Sequence, residues 1–239
     1  MIKEVKYVSF ELSNICNLSQ EHYKCPLFGV KEKKILKTFD VIKLLHELRM
    51  LSYKGTIGFN VYNEPMADPR LYYLLDYTRS LFGLNVKFNL WTNGFFLNQD
   101  IIDELWDLFK VEEITITNYN QQEYNFSRTL LKAGDMYLHG HLANMDNRLK
   151  YYEGEEIECG EPCFAPYNEL IIKHNGDVTL CCLDWKHKYV FGNIHSETLR
   201  DIIIKPEMID VYNKLKEGSR SLDICRRCPL GATKARKYD

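Results

Sequence analysis

The sequence has no long apolar run: no window approaches the roughly eighteen apolar residues of a membrane-spanning helix. The first residues also lack the apolar core of a secretory signal peptide. Charge of one sign is not in excess, because 31 basic and 33 acidic residues leave a net charge of −2. These absences predict a cytoplasmic globular protein and argue against electrostatic binding to nucleic acid or to a membrane.

Cysteine, by contrast, is well represented, with eight residues. Disulfide bonds are rare in a reducing compartment such as the cytoplasm, so they explain these residues poorly. Two pairs, Cys159 with Cys163 and Cys225 with Cys228, are spaced closely enough to share a metal centre. Metal ligation is therefore the favoured interpretation for several of the thiols.

Up to residue 142, strand-like and helix-like segments alternate along the chain. The predicted strands span 7–12, 56–61, 86–91, 113–117 and 136–142, and the predicted helices span 40–51, 68–81, 98–109 and 121–132. Such alternation predicts an α/β fold with right-handed crossovers and about five parallel strands, in a sheet that is open or curled toward a shortened (β/α) barrel.

The composition changes after Arg148, where a polar stretch at 151–156 is typical of a linker. We therefore expect one domain over 1–150 and a smaller one over 151–239. In the second, segments 169–174 and 177–182 flank Asn175 and Gly176. This pair predicts a hairpin with a two-residue type I′ turn, whose central positions both need positive φ. Two helices, beginning near 196 and 207, complete a small hairpin-plus-helix domain.

The C-terminal part of the chain supplies four cysteines from three segments: Cys163, Cys181, and the C-x-x-C pair Cys225 and Cys228. Four thiolates are the ligands of a tetrahedral zinc ion or of an iron-sulfur cluster, and spacing alone leaves both open. Cys159 and Cys182 are left over. A buried free cysteine is the simplest interpretation of each.

A second group of polar residues follows the predicted parallel strands. The loop after the first strand, residues 13–26, carries Cys16, His22 and Cys25, which suggests a metal site. Polar clusters at 62–65, 91–94, 117–120 and 144–148 follow the next four strands. Ligands bind at the C-terminal ends of parallel strands, so these clusters predict a shared pocket.

The order of these motifs carries a resemblance. A cysteine loop ending in Cys-Pro is followed by Glu-Pro, Thr-Asn-Gly, Asn-Arg, and then Cys…Gly-x4-Cys-Cys-x-Asp…Gly-Asn-Ile…Cys-x-x-Cys. This order resembles the radical S-adenosylmethionine superfamily, and more narrowly its branch with a SPASM or shortened Twitch auxiliary domain. The similarity spans residues 11–229, almost the whole chain.

The resemblance implies that seven residues bind S-adenosylmethionine: Asn63, Glu64, Pro65, Thr92, Asn93, Asn118 and Arg148. The first three would line the pocket for the methionyl amine. Thr92 and Asn93 would lie near the ribose or carboxylate, and Arg148 would pair with the carboxylate through charge-assisted contacts. The four C-terminal cysteines would hold an auxiliary [4Fe-4S] cluster beside the cluster that binds S-adenosylmethionine, which favours iron-sulfur over zinc.

The N-terminal cysteine loop departs from the family pattern C-x3-C-x2-C. Counting forward from Cys16, the middle position is Gln20, and counting back from Cys25 it is His22. His22 is one candidate for the third ligand, because imidazole ligates iron in Rieske centres. Another thiolate is the alternative: Cys159, Cys182 or one from a partner. Two further interpretations stay open, namely a loop without a catalytic cluster and a surface loop with an ordinary imidazole.

The resemblance implies a radical oxidoreductase. An electron from the N-terminal cluster would generate a 5′-deoxyadenosyl radical, which would abstract hydrogen from a small substrate, by analogy a sugar or cyclitol alcohol. The auxiliary cluster would accept the second electron or hold the substrate, and an external donor such as flavodoxin or ferredoxin would supply the first. A peptide-modifying enzyme and a degenerate, non-catalytic iron-sulfur homologue are the competing hypotheses.

Overall fold

The computed structural model describes residues 2–21, 25–118, 137–142, 161–184 and 186–228. The strands are β1 Tyr7–Phe10, β2 Thr56–Gly58, β3 Lys87–Thr92, β4 Glu113–Asn118, β5 Tyr137–Leu142, β6 Glu169–Ile172, β7 Asp177–Thr179 and β8 Val190–Asn193. The helices are α1 Thr38–Met50, α2 Leu71–Phe82, α3 Gln99–Phe109, α4 Ala165–Asn168, α5 Leu199–Ile203, α6 Pro206–Lys216 and α7 Asp223–Arg226. The helix predicted at 121–132 lies outside the described residues.

The strands form one eight-stranded sheet in the order β5-β4-β3-β2-β1-β6-β7-β8. The pairings from β5 to β6 are parallel, and those of β7 with β6 and β8 are antiparallel. The predicted α/β class with a mostly parallel sheet is therefore confirmed. Closure toward a barrel and a domain boundary near residue 150 stay predictions.

The position of β6 differs from the prediction, which placed this strand in a hairpin of its own. It pairs in parallel with β1, so the parallel part of the sheet has six strands. Leu170, Ile171 and Ile172 are at most 1% exposed. An uninterrupted apolar run of this kind is typical of a central strand covered on both faces. Strand β8 was not predicted at all, because it is short and contains Gly192.

The long helices pack through apolar residues at helical spacing. In α1 the residues Val41, Leu44, Leu45 and Leu48 have no exposed surface. Helix α3 begins after Asn98, whose side chain accepts a hydrogen bond from the backbone N–H of Ile101 at 2.9 Å. The apolar stripe of α1 was predictable from the sequence. Its start was not: the helix begins at Thr38 rather than after a capping Asp40, and no side chain caps it.

The turn between β6 and β7 corrects the predicted type I′ geometry. Gly176 has a φ of +87°, whereas Asn175 is not among the residues with positive φ. The N–H of Gly176 donates to the carbonyl of Lys173 at 2.8 Å, and the N–H of Lys173 donates to Asp177 at 2.8 Å. The loop therefore has three residues, with glycine alone in the left-handed position.

Candidate functional site

Three loops meet at the C-terminal edge of the sheet because β1, β2 and β3 are parallel neighbours. They are the cysteine loop after β1, the loop 59–64 after β2 and the loop that begins at Asn93 after β3. The N–H of Glu64 donates to the carbonyl of Ile15 at 2.9 Å. Ile15 directly precedes Cys16, so the second loop is fixed to the first beside the thiol.

The Glu64 carboxylate joins the second and third loops. Oε1 accepts from the Thr92 hydroxyl at 2.6 Å and from the N–H of Met66 at 3.0 Å, and Oε2 accepts from the N–H of Asn93 at 2.7 Å. The residue is only 3% exposed. Burial raises the pKa of Glu64, and these three hydrogen bonds oppose that rise. A buried acceptor that spans two strand ends is thus one fixed wall of the site.

Asn93 continues the connection to the cysteine loop. Its Nδ2 donates to Asn17 Oδ1 at 2.8 Å and lies 3.8 Å from the Cys16 Sγ, while its Oδ1 accepts from the N–H of Phe95 at 3.0 Å. The Asn-Gly pair at 93–94 is therefore more than a tight turn. Asn17 was not predicted as a site residue. Its position next to Cys16 is the one sequence feature that could have indicated it.

The surroundings of Cys16 favour the protonated, neutral form of its thiol. Burial, with smaller contributions from the nearby Glu64 and Cys25, raises the pKa of its thiol to about 11. A thiol in this setting stays neutral unless a metal ion supplies positive charge. The structure thus brings Cys16 and Cys25 close to each other beside Glu64 and Asn93, and thiols are the donors that an iron-sulfur cluster uses.

Asn63 and Pro65 have mainly structural contacts. The Nδ2 of Asn63 donates to the carbonyl of Phe59 at 3.1 Å, and its Oδ1 accepts from the N–H of Val61 at 3.1 Å. Pro65 is buried and begins a single 3₁₀ turn that Glu64 caps. Both residues shape the loop that presents Glu64, and their contact with a cofactor stays a prediction.

The C-terminal cysteines come from three places around the last helices. Cys163 is held by a 2.7 Å hydrogen bond from its N–H to the carbonyl of Leu215 at the end of α6. Cys181 follows β7, Cys225 lies on α7, and Cys228 follows that helix. The N–H of Cys228 donates to the carbonyl of Cys225 at 3.3 Å. The hairpin and the two helices thus converge on one cysteine set.

The Cys225 thiol lies within electrostatic reach of the other three, Cys163, Cys181 and Cys228. Burial, with smaller contributions from Cys163 and Cys228, raises the pKa of Cys225 to about 12. Burial also raises the pKa of Cys181, with further increases from Cys182, Cys225 and Cys228. Four neighbouring thiols, of which Cys225 and Cys228 are buried, match the donor set of an iron-sulfur cluster. The described cysteines are all free thiols.

The loop after Cys181 is closed by a buried carboxylate. Asp184 is 1% exposed, and its two oxygens accept from the N–H groups of Lys188 at 3.0 Å and Tyr189 at 2.8 Å. This residue is the aspartate of the Cys-Cys-x-Asp motif. Its contacts explain why an acidic residue stands there: it satisfies backbone donors that burial would otherwise leave unpaired.

A buried ion pair lies beside these loops and was missed from the sequence. Lys173 Nζ donates to Glu11 Oε1 at 2.6 Å, with the two side chains 2% and 1% exposed, and His174 Nδ1 lies 2.6 Å from Glu11 Oε2. Burial would raise the pKa of Glu11, but the charges and hydrogen bonds of Lys173 and His174 outweigh it and hold this pKa below its ordinary value. The available signal was a charged residue ending each of two apolar strands.

Several predicted residues cannot be placed relative to this site. His22, Arg148 and Cys159 lie outside the described residues, as does the side chain of Asn118. In the described part of the chain, no three histidine, cysteine or acidic side chains are grouped closely enough to hold a single metal ion. No helix among the described residues is long and apolar enough to cross a membrane.

Comparison with known proteins relates the C-terminal cysteine set to one family and the whole chain to one enzyme. Residues 163–229 match the SPASM family, an iron-sulfur cluster-binding domain. Over nearly its whole length the chain is also similar to the S-adenosyl-L-methionine-dependent 2-deoxy-scyllo-inosamine dehydrogenase of Niallia circulans. The two are 24% identical, with 95% of this chain and 94% of the relative covered. The resemblance predicted from the motifs, to radical S-adenosylmethionine enzymes with an auxiliary domain, is thereby confirmed.

Solved structures give the same picture of the fold. BtrN in complex with AdoMet and 2-DOIA matches with a TM-score of 0.77 and 23% identity, over 95% of this chain and 94% of that one. The anSMEcpe structure with bound AdoMet matches with a TM-score of 0.53 and 14% identity, over 94% and 86%. The sheet and its flanking helices are therefore shared with proteins crystallised with S-adenosylmethionine.

Proposed function

We propose that this protein is a radical S-adenosylmethionine oxidoreductase with two [4Fe-4S] clusters. The observation that carries the proposal is the contact set at the strand ends, where Glu64 binds Thr92 and Asn93, and Asn93 approaches Cys16. These are motif residues that the resemblance assigns to one pocket. The SPASM match over the four C-terminal cysteines supports the second cluster.

In this proposal the chain's own residues have distinct tasks. Cys16 and Cys25 hold the N-terminal cluster, and His22 is the leading candidate for the third ligand. Glu64 and Asn93 fix the walls beside it and keep water from the bound cofactor. When bound, the reduced cluster and S-adenosylmethionine supply a 5′-deoxyadenosyl radical, a hydrogen-atom acceptor that no amino-acid side chain provides.

We assign binding of S-adenosylmethionine to seven residues of the pocket: Asn63, Glu64, Pro65, Thr92, Asn93, Asn118 and Arg148. Hydrogen-bond donors and acceptors from Thr92 and Asn93 suit a ribose or carboxylate. Arg148 suits the methionyl carboxylate through a bidentate pair. The auxiliary cluster is assigned to Cys163, Cys181, Cys225 and Cys228.

The substrate we propose is a small alcohol of the sugar or cyclitol class. The support is the dehydrogenase of Niallia circulans, together with the BtrN complex that holds AdoMet and 2-DOIA. Oxidation of an alcohol removes two electrons and two protons. When bound, the deoxyadenosyl group would take one hydrogen atom and the auxiliary cluster held by the four C-terminal cysteines would take one electron, while the remaining proton would pass to a base. An external reductant such as flavodoxin or ferredoxin would start the reaction.

A second candidate is a non-catalytic homologue that keeps the auxiliary cluster as a binding or electron-carrier module. The missing middle cysteine of the N-terminal loop favours it. Anaerobic reconstitution, iron and sulfide analysis, and an assay for 5′-deoxyadenosine separate the two. About eight irons per chain and cleavage under strong reductant support the enzyme, whereas about four irons without cleavage support the carrier.

Substitution of His22 tests whether its imidazole is the third ligand of the N-terminal cluster. His22→Ala should lower the iron content and abolish cleavage if the imidazole is the third ligand, whereas His22→Cys should retain both. Lys6→Ala is the control for losses during handling, because Lys6 precedes β1 and so lies at the other end of that strand from the cysteine loop. Full iron content and cleavage in His22→Ala would assign the third ligand to another group.

A further inference from the structure

Tyr62 makes contact with the C-terminal cysteine loop from within the candidate pocket. It lies in the loop after β2, two residues before Glu64, and its hydroxyl donates to the backbone carbonyl of Cys182. Cys182 directly follows Cys181. A single side chain thus reaches from the loop proposed to bind S-adenosylmethionine to the loop proposed to hold the auxiliary cluster.

The other end of the same loop is tied to the N-terminal cysteine loop. The N–H of Glu64 donates to Ile15 at 2.9 Å, and the Glu64 carboxylate holds Thr92 and Asn93. Residues 62–64 span at most about 10 Å even when fully extended. A displacement at either end therefore has little slack in which to be absorbed.

Two buried groups fix the position of the Tyr62 ring and of its acceptor. Lys173 Nζ lies 3.9 Å from the ring centroid, and the same ammonium is paired with Glu11 at 2.6 Å. An ammonium over an aromatic face is attracted to it, most strongly when both are removed from water. On the acceptor side, Asp184 closes the loop through the N–H groups of Lys188 and Tyr189. Tyr62 and the loop that carries its acceptor thus each have a second contact, to Lys173 and through Asp184 respectively.

We propose that Tyr62 is a positioning residue that transmits occupancy of the S-adenosylmethionine pocket to the loop carrying Cys181. The inference rests on the proposed function, because it requires that the pocket bind S-adenosylmethionine. The tyrosine acts through the hydrogen bond from its hydroxyl to the Cys182 carbonyl. Its effect is to order residues 181–184 when the pocket is filled, which aligns the auxiliary site with the pocket.

Hydrogen exchange followed by mass spectrometry tests this on the anaerobically reconstituted protein. Binding of S-adenosylmethionine is measured first by equilibrium dialysis. In the wild-type protein, saturating S-adenosylmethionine should slow exchange in the peptide covering 181–189 by about threefold or more, the effect of about one hydrogen bond. In Tyr62→Phe, which keeps the ring over Lys173, binding should persist and the slowing should fall below about twofold.

Tyr53→Phe is the matched control. Its hydroxyl also donates to backbone carbonyls, those of Lys6 and Thr56, but these lie at the N-terminal ends of β1 and β2, away from the site. This variant should keep the wild-type response of residues 181–189. Equal slowing in Tyr62→Phe and wild type overturns the inference, and so does bound S-adenosylmethionine with no change in wild-type exchange. A wild-type protein that binds no S-adenosylmethionine overturns the proposed function together with the inference, and the dialysis step identifies that case.

Discussion

The two cysteine regions of this protein are built differently. The N-terminal loop is held at a sheet edge by polar contacts, with Asn93 beside Cys16 and the Glu64 N–H on Ile15. The C-terminal set is assembled from a hairpin and helices, and its Cys225 and Cys228 are buried. The first region combines two thiols with hydrogen-bonding side chains, whereas the second combines four thiols from three segments.

This difference matches two kinds of metal site. Sites with a full set of protein ligands are closed, while catalytic sites keep a coordination position for a substrate or cofactor. Under the proposed function, the incomplete ligand set of the N-terminal loop is the open site, and polar groups such as Glu64 and Asn93 surround the position that S-adenosylmethionine would fill. The four-thiol set is the closed one. Its contribution would be electron acceptance and folding stability.

The largest expected effects come from removing one thiol in each region. Cys16→Ala and Cys181→Ala should each lose about four irons. We expect Cys16→Ala to reduce 5′-deoxyadenosine formation at least about 100-fold, because losing a ligand costs more than losing a group that only supports one. Cys181→Ala should keep cleavage of S-adenosylmethionine within about tenfold while substrate oxidation is lost. Iron analysis and product chromatography measure both.

Cys182→Ala is the control for this comparison, since it removes a neighbouring thiol that is outside the auxiliary set and is a ligand of the N-terminal cluster only if His22 is not. It should retain the wild-type iron content. If Cys181→Ala abolished cleavage as completely as Cys16→Ala does, the two regions would not have separate tasks, and the comparison would be wrong.

The next largest effect concerns the ion pair between the two regions. Lys173→Met leaves Glu11 buried without its ammonium, and we expect the free energy of unfolding to fall by about 3–5 kcal/mol. Denaturant titration of the protein measures it. Lys214→Met removes an exposed pair with Asp210 at 2.7 Å and should cost no more than about 0.5 kcal/mol. Similar losses in both variants would contradict the assignment of Lys173 to a buried junction.

Much of the fold was predictable because it depends on local signals. The stripe of α1 at Val41, Leu44, Leu45 and Leu48 repeats every three or four residues, and the cap at Asn98 directly precedes α3. The pairing of β6 with β1 joins residues about 160 positions apart in sequence. No local pattern specifies such a pairing, which is why the hairpin was predicted as a separate unit.

The site was predictable to a similar degree. Strand-end logic identified Glu64, Thr92 and Asn93, and the structure brings them into contact. The pair of Glu11 and Lys173 was missed, because each residue alone looks like an ordinary charged end of a strand. Only the tertiary fold buries both and makes their charges interdependent.

A smaller effect is expected within the N-terminal region. Thr92→Val removes the hydroxyl that donates to Glu64 at 2.6 Å and leaves a buried carboxylate oxygen with one donor fewer, at a cost of about 1–3 kcal/mol. Affinity for S-adenosylmethionine should weaken about tenfold, as dialysis would show, since Glu64 loses part of its support. Thr78→Val removes a hydroxyl bonded to Leu74 at 2.6 Å inside α2. That control should lose stability without losing affinity, and a matching loss of affinity would refute the local explanation.

The smallest expected effect concerns Glu11, between the two regions, and is a change in how steeply the free energy of unfolding depends on pH. Because Lys173 and His174 hold the pKa of Glu11 below its ordinary value of 4.5, the unfolded chain binds a proton there before the folded protein does. The stabilisation from Glu11 is therefore fully present above 4.5 and is lost as pH falls through the folded pKa. Glu11→Gln should be less stable than wild type near neutral pH, yet its unfolding free energy should fall less on acidification, so the two curves should approach each other. Denaturant titrations across this pH range measure the difference, and parallel curves would show that Glu11 is not ionised against Lys173 in the folded protein.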